Sequence, residues 1–178
     1  MKFAYADPPY YGYGKLYNDT AAAATNEYDD IEAWKRLAVT LADFDGWAMS
    51  MTSGNLHDLL PLFPGARIAA WVKPFAAFKR NVRIAYTWEP VLFKPGRDSS
   101  TLGAPVGRDH LAESITMRKG LTGAKPELLC SWVLDLVGWI PGDELTDLFP
   151  GTGVMGRVVD SRNGVVADNQ LPLYEESA

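Results

Sequence analysis

The chain has 178 residues and 47% hydrophobic content, enough to bury a real core within a single domain, residues 1–178. One cysteine, Cys130, excludes an internal disulfide, and His57 and His110, far apart and without a cysteine cluster, give no zinc pattern, so no metal is expected. The net charge of −5 conceals an asymmetry: Arg67 to Lys125 carry 11 Lys or Arg against 4 Asp or Glu, net +7, whereas the remaining residues carry 6 against 18, net −12.

Lys2–Ala6 is a short apolar run that predicts a strand, and it leads straight into Asp7-Pro8-Pro9-Tyr10. The prolines fix two φ angles and carry no N–H, so this turn presents carbonyl oxygens without competing donors. A flat, amine-bearing ring could donate one hydrogen to Asp7 and the other to a carbonyl of the Pro-Pro turn while stacking on Tyr10. Taken alone, the tetrapeptide also reads as a stiff turn.

A Tyr- and Gly-rich loop follows, with Tyr11, Tyr13 and Tyr17 placed to close over a base or simply to anchor the loop. Asp29 or Asp30 caps a helix through Leu41, with Ile31, Trp34, Leu37, Ala38 and Leu41 at helical spacing. Gly46–Met51 predicts a strand, Asn55 the cap of a short helix ending before Pro64-Gly65, and Arg67–Val72 and Ile84–Phe93 two further strands. Lys94–Ala124 shows little periodicity and is longer than a plain connector, which marks a functional insertion. Lys125–Trp139 predicts an amphipathic helix broken at Pro141-Gly142. Trp34, Trp47, Trp132 and Trp139 are assigned to the core.

Next comes Glu144-Leu145-Thr146-Asp147-Leu148-Phe149-Pro150-Gly151-Thr152-Gly153-Val154-Met155-Gly156, an apolar run, a glycine-rich turn and a helix start at Val154. Glycines permit close backbone approach to a ligand, and the helix start favours an anion. The run also matches GxGxxG, but only 22 residues follow Gly156, too few for a dinucleotide-binding half, so a nicotinamide-dependent reductase is disfavoured. Gly164–Asp168 predicts a last strand and Gln170–Ala178 a loose tail. Alternating strands and helices predict an α/β fold with a mixed, mostly parallel sheet covered on both faces.

The glycine-rich unit would ordinarily open such a domain, yet here it follows the Asp7–Tyr10 turn. In that order the chain resembles the S-adenosylmethionine-dependent amino-methyltransferases of the permuted (beta) class, in which a DPPY motif precedes an FxGxG motif. Asp7-Pro8-Pro9-Tyr10 matches the first motif and Phe149-Pro150-Gly151-Thr152-Gly153 the second. Lys125-Pro126-Glu127-Leu128-Leu129 resembles the family's cofactor-flanking helix start, Trp47–Gly54 its middle strand and loop, and Trp71-Val72-Lys73 with Trp88–Phe93 its late hairpin, so the likeness spans roughly residues 2–160.

The resemblance implies a circularly permuted, Rossmann-like methyltransferase fold and S-adenosylmethionine as methyl donor. It implies catalytic roles for Asp7, Pro8, Pro9 and Tyr10, and cofactor contacts at Ala6, Asp7, Lys125, Glu127, Asp147, Phe149, Gly151, Gly153 and Asp168. An Asp-started motif implies transfer to the N6 amine of adenine, in DNA first, with RNA methylation and a non-catalytic subunit of a methyltransferase complex as the alternatives. The basic segment offers Lys79, Arg80, Arg83, Arg97, Arg108, Arg118 and Lys119 as nucleic-acid contacts. The stretch from 94 to 124 is the candidate target-recognition region, smaller than in sequence-specific members. Either specificity is loose, or a second subunit (another copy or a partner chain) shares recognition, or the substrate is not ordinary duplex DNA. With no run of about 18 apolar residues, the expectation is a soluble, cytoplasmic protein without a membrane partner.

Overall fold

The computed structural model describes residues 1–13, 27–75, 82–97, 107–115 and 124–164. Among the described residues six strands form one sheet: β1 (Lys2–Ala6), β2 (Gly46–Ser50), β3 (Arg67–Val72), β4 (Trp88–Lys94), β5 (His110–Ala112) and β6 (Glu144–Asp147), in the order β5-β3-β4-β2-β1-β6. β1 pairs in parallel with both β2 and β6, and β3 with β5, while β4 runs antiparallel to β2 and β3. The mixed, mostly parallel sheet expected from the sequence is present.

Helices cover both faces because successive strand residues point to opposite sides. Phe3, Tyr5, Ala48, Trp71, Val91 and Phe93 face α3 (Glu127–Val137) and α4 (Val154–Arg162), meeting Leu129, Val133, Leu134 and Met155. Ala4, Ala6, Trp47, Met49 and Leu92 face α1 (Ile31–Ala42) and α2 (Leu56–Leu59), meeting Trp34, Leu37, Leu41 and Leu59. Each large side chain buried this way is worth about 1.5–3 kcal/mol against exposure. Trp34, Trp47 and Trp139 are core residues, whereas Trp132 is only partly buried and its indole N–H bonds the Arg108 carbonyl at 3.0 Å.

Local chemistry sets the ends of the elements. Asp30 caps α1, its carboxylate accepting the Glu32 N–H at 3.0 Å. α3 ends at Gly138 in the left-handed region (φ +79°), with Trp139 N–H reaching back to the Leu134 carbonyl. That closure comes before Pro141-Gly142, which therefore do not break the helix. Asn55 precedes α2 but gives it no side-chain cap. β4 begins at Trp88 rather than Ile84, which is 77% exposed. Strand β5 lies within the stretch that showed no periodicity, where three residues are too few for a pattern. The predicted strand from Gly164 to Asp168 and the tail beyond it fall outside the described residues, apart from Gly164, which lies in a turn.

The carboxyl ends of β1, β2 and β6 share one edge of the sheet, the usual position of an α/β crevice. Antiparallel pairing brings the start of β4 and the end of β3 to that same edge.

Candidate active site

Asp7 lies immediately past the end of β1. Lys125, just before α3, places its ammonium 3.0 Å from Asp7 Oδ1 and 3.5 Å from Glu89 Oε2. Asp7 Oδ1 is buried and has the Lys125 ammonium as its ion-pair partner. The Tyr10 hydroxyl donates to Glu89 Oε2 at 2.9 Å and accepts from Lys125 Nζ at 3.1 Å. Lys73, at the end of β3, pairs with Glu89 Oε1, and its ammonium lies 4.8 Å from the centre of the Trp71 ring. Trp71 is itself fixed by its indole N–H, which donates to the Glu113 carbonyl at 2.7 Å.

The cluster therefore balances two carboxylates with two ammonium groups in a nearly dry setting. Burial raises the Asp7 pKa, and the Lys125 charge opposes it. Burial alone would raise Glu89, but Lys125 and Lys73 hold its carboxyl below the usual value. Burial alone would lower Lys125, yet Asp7, Tyr10 and Glu89 hold its ammonium well above the usual value. Burial, with Asp7 and Glu89 adding, pushes Tyr10 well up, so it stays a neutral phenol.

The glycine-rich turn lies beside this cluster on the adjacent parallel strand. Register pairs Tyr5 with Asp147, and the Leu148 N–H bonds the Tyr5 carbonyl at 2.9 Å. The Asp147 carboxylate accepts the Phe149 N–H at 3.1 Å, while burial raises its pKa and the Asp7 charge adds to the rise. Gly151 and Gly153 take φ of +45° and +69°, backbone that L side chains avoid, and Gly153 opens α4 without a side-chain cap. Phe149 packs on the α1 side, edge-on to Tyr28 at 5.3 Å. Cys130 lies behind the cluster, its thiol pushed up to about 12 by burial.

The fold thus brings Ala6, Asp7, Pro8, Pro9, Tyr10, Lys125, Asp147, Phe149, Gly151 and Gly153 to one edge, with Glu127 exposed in the first turn of α3. Tyr11 is partly buried against the α1 side, where its carbonyl accepts the Asn55 amide at 3.2 Å, so it anchors the loop. The Arg97 guanidinium bonds the Asp143 carboxylate (2.8 and 3.0 Å) and the Gly138 carbonyl (2.6 Å), tying chain segments together past the opposite end of β4 from this site. Arg83 and Arg108 are exposed; Lys79, Arg80, Arg118, Lys119, Asp168 and Tyr17 lie outside the described residues.

Sequence reasoning passed over Glu89 and Lys73 as site residues, along with Ser50, whose hydroxyl meets that of Tyr5 at 2.9 Å in the interior. The available signal was a charged or polar group in an otherwise apolar strand, which needs a partner when buried.

No protein-family model and no curated protein matches the chain. Among solved structures, M1.HpyAVI in complex with SAM superposes with a TM-score of 0.56 at 18% identity, covering 90% of this chain and 78% of that one. M1.HpyAVI alone gives 0.56 at 15%, covering 90% and 76%. TTHA0409 of Thermus thermophilus, proposed to be a DNA modification methylase and solved with S-adenosyl-L-methionine, gives 0.50 at 14%, covering 90% and 77%. At such identities the likeness defines the fold: this chain has the Rossmann-like methyltransferase fold.

Proposed function

We propose that the chain is an S-adenosylmethionine-dependent methyltransferase acting on the exocyclic N6 amine of adenine in DNA. The observation that carries this reading is the buried Asp7 carboxylate, ion-paired with Lys125, in a Pro-Pro turn beside a glycine-rich strand-to-helix turn. The permuted motif order belongs to the same proposal, with β1 first in sequence and beside β6 in space. Two of the similar structures bind the same cofactor, and one is proposed to modify DNA.

The residues present suit the cofactor. Asp7 and Asp147 stand at the ends of adjacent strands, and the Asp7 charge adds to the burial that raises the Asp147 carboxyl, a setting that favours a cation such as an amino-acid ammonium beside Asp147. The uncapped start of α4 favours the accompanying carboxylate. Gly151 and Gly153 keep the turn slim, Ala6 and Phe149 offer apolar contact, and Lys125 and Glu127 flank the amino-acid end. When bound, the cofactor supplies a methyl group on a sulfonium, an electrophile that needs no further activation.

The chain's task is to make the amine a nucleophile. Its lone pair is delocalised into the adenine ring. Accepting one N–H at Asp7 and the other at the Pro8 carbonyl favours a pyramidal nitrogen with the lone pair directed away from both. As the N–C bond forms and the methyl–sulfur bond breaks to release a neutral thioether, the nitrogen would gain positive charge and shed a proton; the Asp7 carboxylate would stabilise the charge and accept the proton. Pro9 stiffens the turn, and Tyr10, held by Glu89 and Lys125, replaces the stacking lost when the base leaves a duplex. Lys79, Arg80, Arg83, Arg108, Arg118 and Lys119 are the proposed backbone contacts.

The test is transfer of tritiated methyl to unmethylated duplex DNA, single-stranded DNA and RNA, with the modified nucleoside identified. Label in N6-methyldeoxyadenosine is expected, and Asp7→Ala should abolish it even at saturating cofactor. Label confined to RNA would move the substrate, and turnover by Asp7→Ala near that of the parent would overturn the mechanism.

A further inference from the structure

Two stiff prolines precede Tyr10, but they fix its backbone and not its ring, which turns about its side-chain bonds unless something holds it. Glu89 supplies the hold. Both carboxylate oxygens are engaged: Oε1 pairs with Lys73, while Oε2 accepts the Tyr10 hydroxyl at 2.9 Å and lies 3.5 Å from the Lys125 ammonium. Glu89 stands on the sheet itself, opposite Trp71 in the β3–β4 register, and beside it the Lys73 N–H bonds the Thr87 carbonyl at 2.7 Å. The Trp71 ring lies 4.8 Å from the Lys73 ammonium and 5.7 Å from that of Lys125, and its indole N–H is tied to the Glu113 carbonyl. A two-point grip on a paired strand thus ends at a ring carried by a turn.

From this arrangement we infer that Glu89, fixed by Lys73, is a positioning residue for methyl transfer: acting through the Tyr10 hydroxyl, it sets the angle at which the Tyr10 ring meets the target base. The inference rests on the function proposed above and adds to it a residue pair outside both motifs. Stability alone gives no reason for the pair, because a buried ion pair contributes little net stability and apolar side chains of similar volume serve as well. Lys73 takes one oxygen of Glu89 and leaves the other for Tyr10 and Lys125, which is the division of labour that a support for the ring requires. A small misalignment of reacting groups is paid in rate rather than in affinity, so the role has a kinetic signature.

The test replaces the pair without stranding a buried charge. Lys73→Met/Glu89→Leu removes the acceptor for the Tyr10 hydroxyl, whereas Lys73→Met/Glu89→Gln keeps an amide oxygen in its place; both leave Asp7 paired with Lys125. Each double variant is made in the parent chain and again with Tyr10→Phe, which keeps the ring and loses the hydroxyl. Methyl transfer to adenine-containing DNA or RNA, whichever the parent methylates, is measured for kcat and KM, and S-adenosylmethionine affinity by calorimetry. Lys73→Met/Glu89→Leu should lose about tenfold in kcat, with KM and cofactor affinity within about twofold of the parent, and Lys73→Met/Glu89→Gln should recover most of that loss. Tyr10→Phe alone should show a similar loss without touching the buried pair, and in its presence the two double variants should turn over alike. If Lys73→Met/Glu89→Leu or Tyr10→Phe is as fast as the parent, the inference is overturned and the proposed function stands. Two double variants that are equally slow, or a difference between them that persists with Tyr10→Phe, also overturn it, since Glu89 then acts by its charge or by another route. Parent protein that binds the cofactor yet methylates no polynucleotide overturns both.

Discussion

Lys125→Met removes one cation from a cluster of four charges, and its consequences follow from the distances. At 3.0 Å from Asp7 and an effective dielectric near 20, the attraction is about 5–6 kcal/mol, and at 3.5 Å from Glu89 about 5 kcal/mol. The desolvation cost of the ammonium itself, several kcal/mol, disappears with it. The net loss expected from stranding a buried carboxylate is therefore about 3–5 kcal/mol, a large share of the roughly 5–15 kcal/mol that holds a domain folded. For a chain of this size that lowers the melting temperature by about 6–20 °C. The pH dependence supplies a second readout. The Lys125 pKa is raised on folding, so its stabilisation is complete below its unfolded value of about 10.4 and is lost only as pH climbs through the folded value. Without Lys125 the Asp7 carboxyl, already raised by burial, rises further, and a raised carboxyl costs stability as pH climbs above about 3.9. Urea unfolding of parent and variant at about pH 7 and pH 5 should give a gap that narrows in the more acidic buffer. Adding Asp7→Asn to Lys125→Met should recover part of the loss, since an amide needs no counter-charge. Equal midpoints, or a gap of the same size at both pH values, would refute the electrostatic account of the cluster.

Two structural predictions concern the far end of the sheet. A Cβ at Gly96 would lie 2.7 Å from the Gly46 nitrogen and 2.8 Å from the Phe3 ring, so Gly96→Ala should cost about 3 kcal/mol and show as a lowered urea midpoint with unchanged slope. The Arg97 guanidinium, helped by the amino terminus and the Ile140 N–H, holds the Asp143 carboxyl well below the ordinary range. A depressed carboxyl stabilises above its unfolded value and loses that contribution as pH falls through the folded one. Asp143→Asn should therefore cost about 1–2 kcal/mol near neutrality, with the difference shrinking in urea titrations below about pH 4.

Much of the scaffold was legible in the sequence because the signals are local. The Lys2–Ala6 run, the Asp30 cap with Trp34, Leu37 and Leu41 at helical spacing, and the glycines before Val154 each act within a few residues of themselves. The two turns that frame the site could be named for the same reason: prolines, glycines and a strand-end carboxylate state their backbone geometry outright. Elements shorter than a period, such as β5, and ends set by tertiary pairing, such as the start of β4, left no comparable pattern.

What the residues fixed by themselves is the alternation of strands and helices and the two turns with unusual backbone. Tertiary structure alone decided which charges share a low-dielectric space. It gathered Asp7, Glu89, Lys73 and Lys125 from four distant stretches into one neutral cluster, and it paired Arg97 with Asp143. Coulomb energy depends on distance and burial, neither of which is written in the order of residues, so a charge count locates the basic segment but not the partner of any one cation.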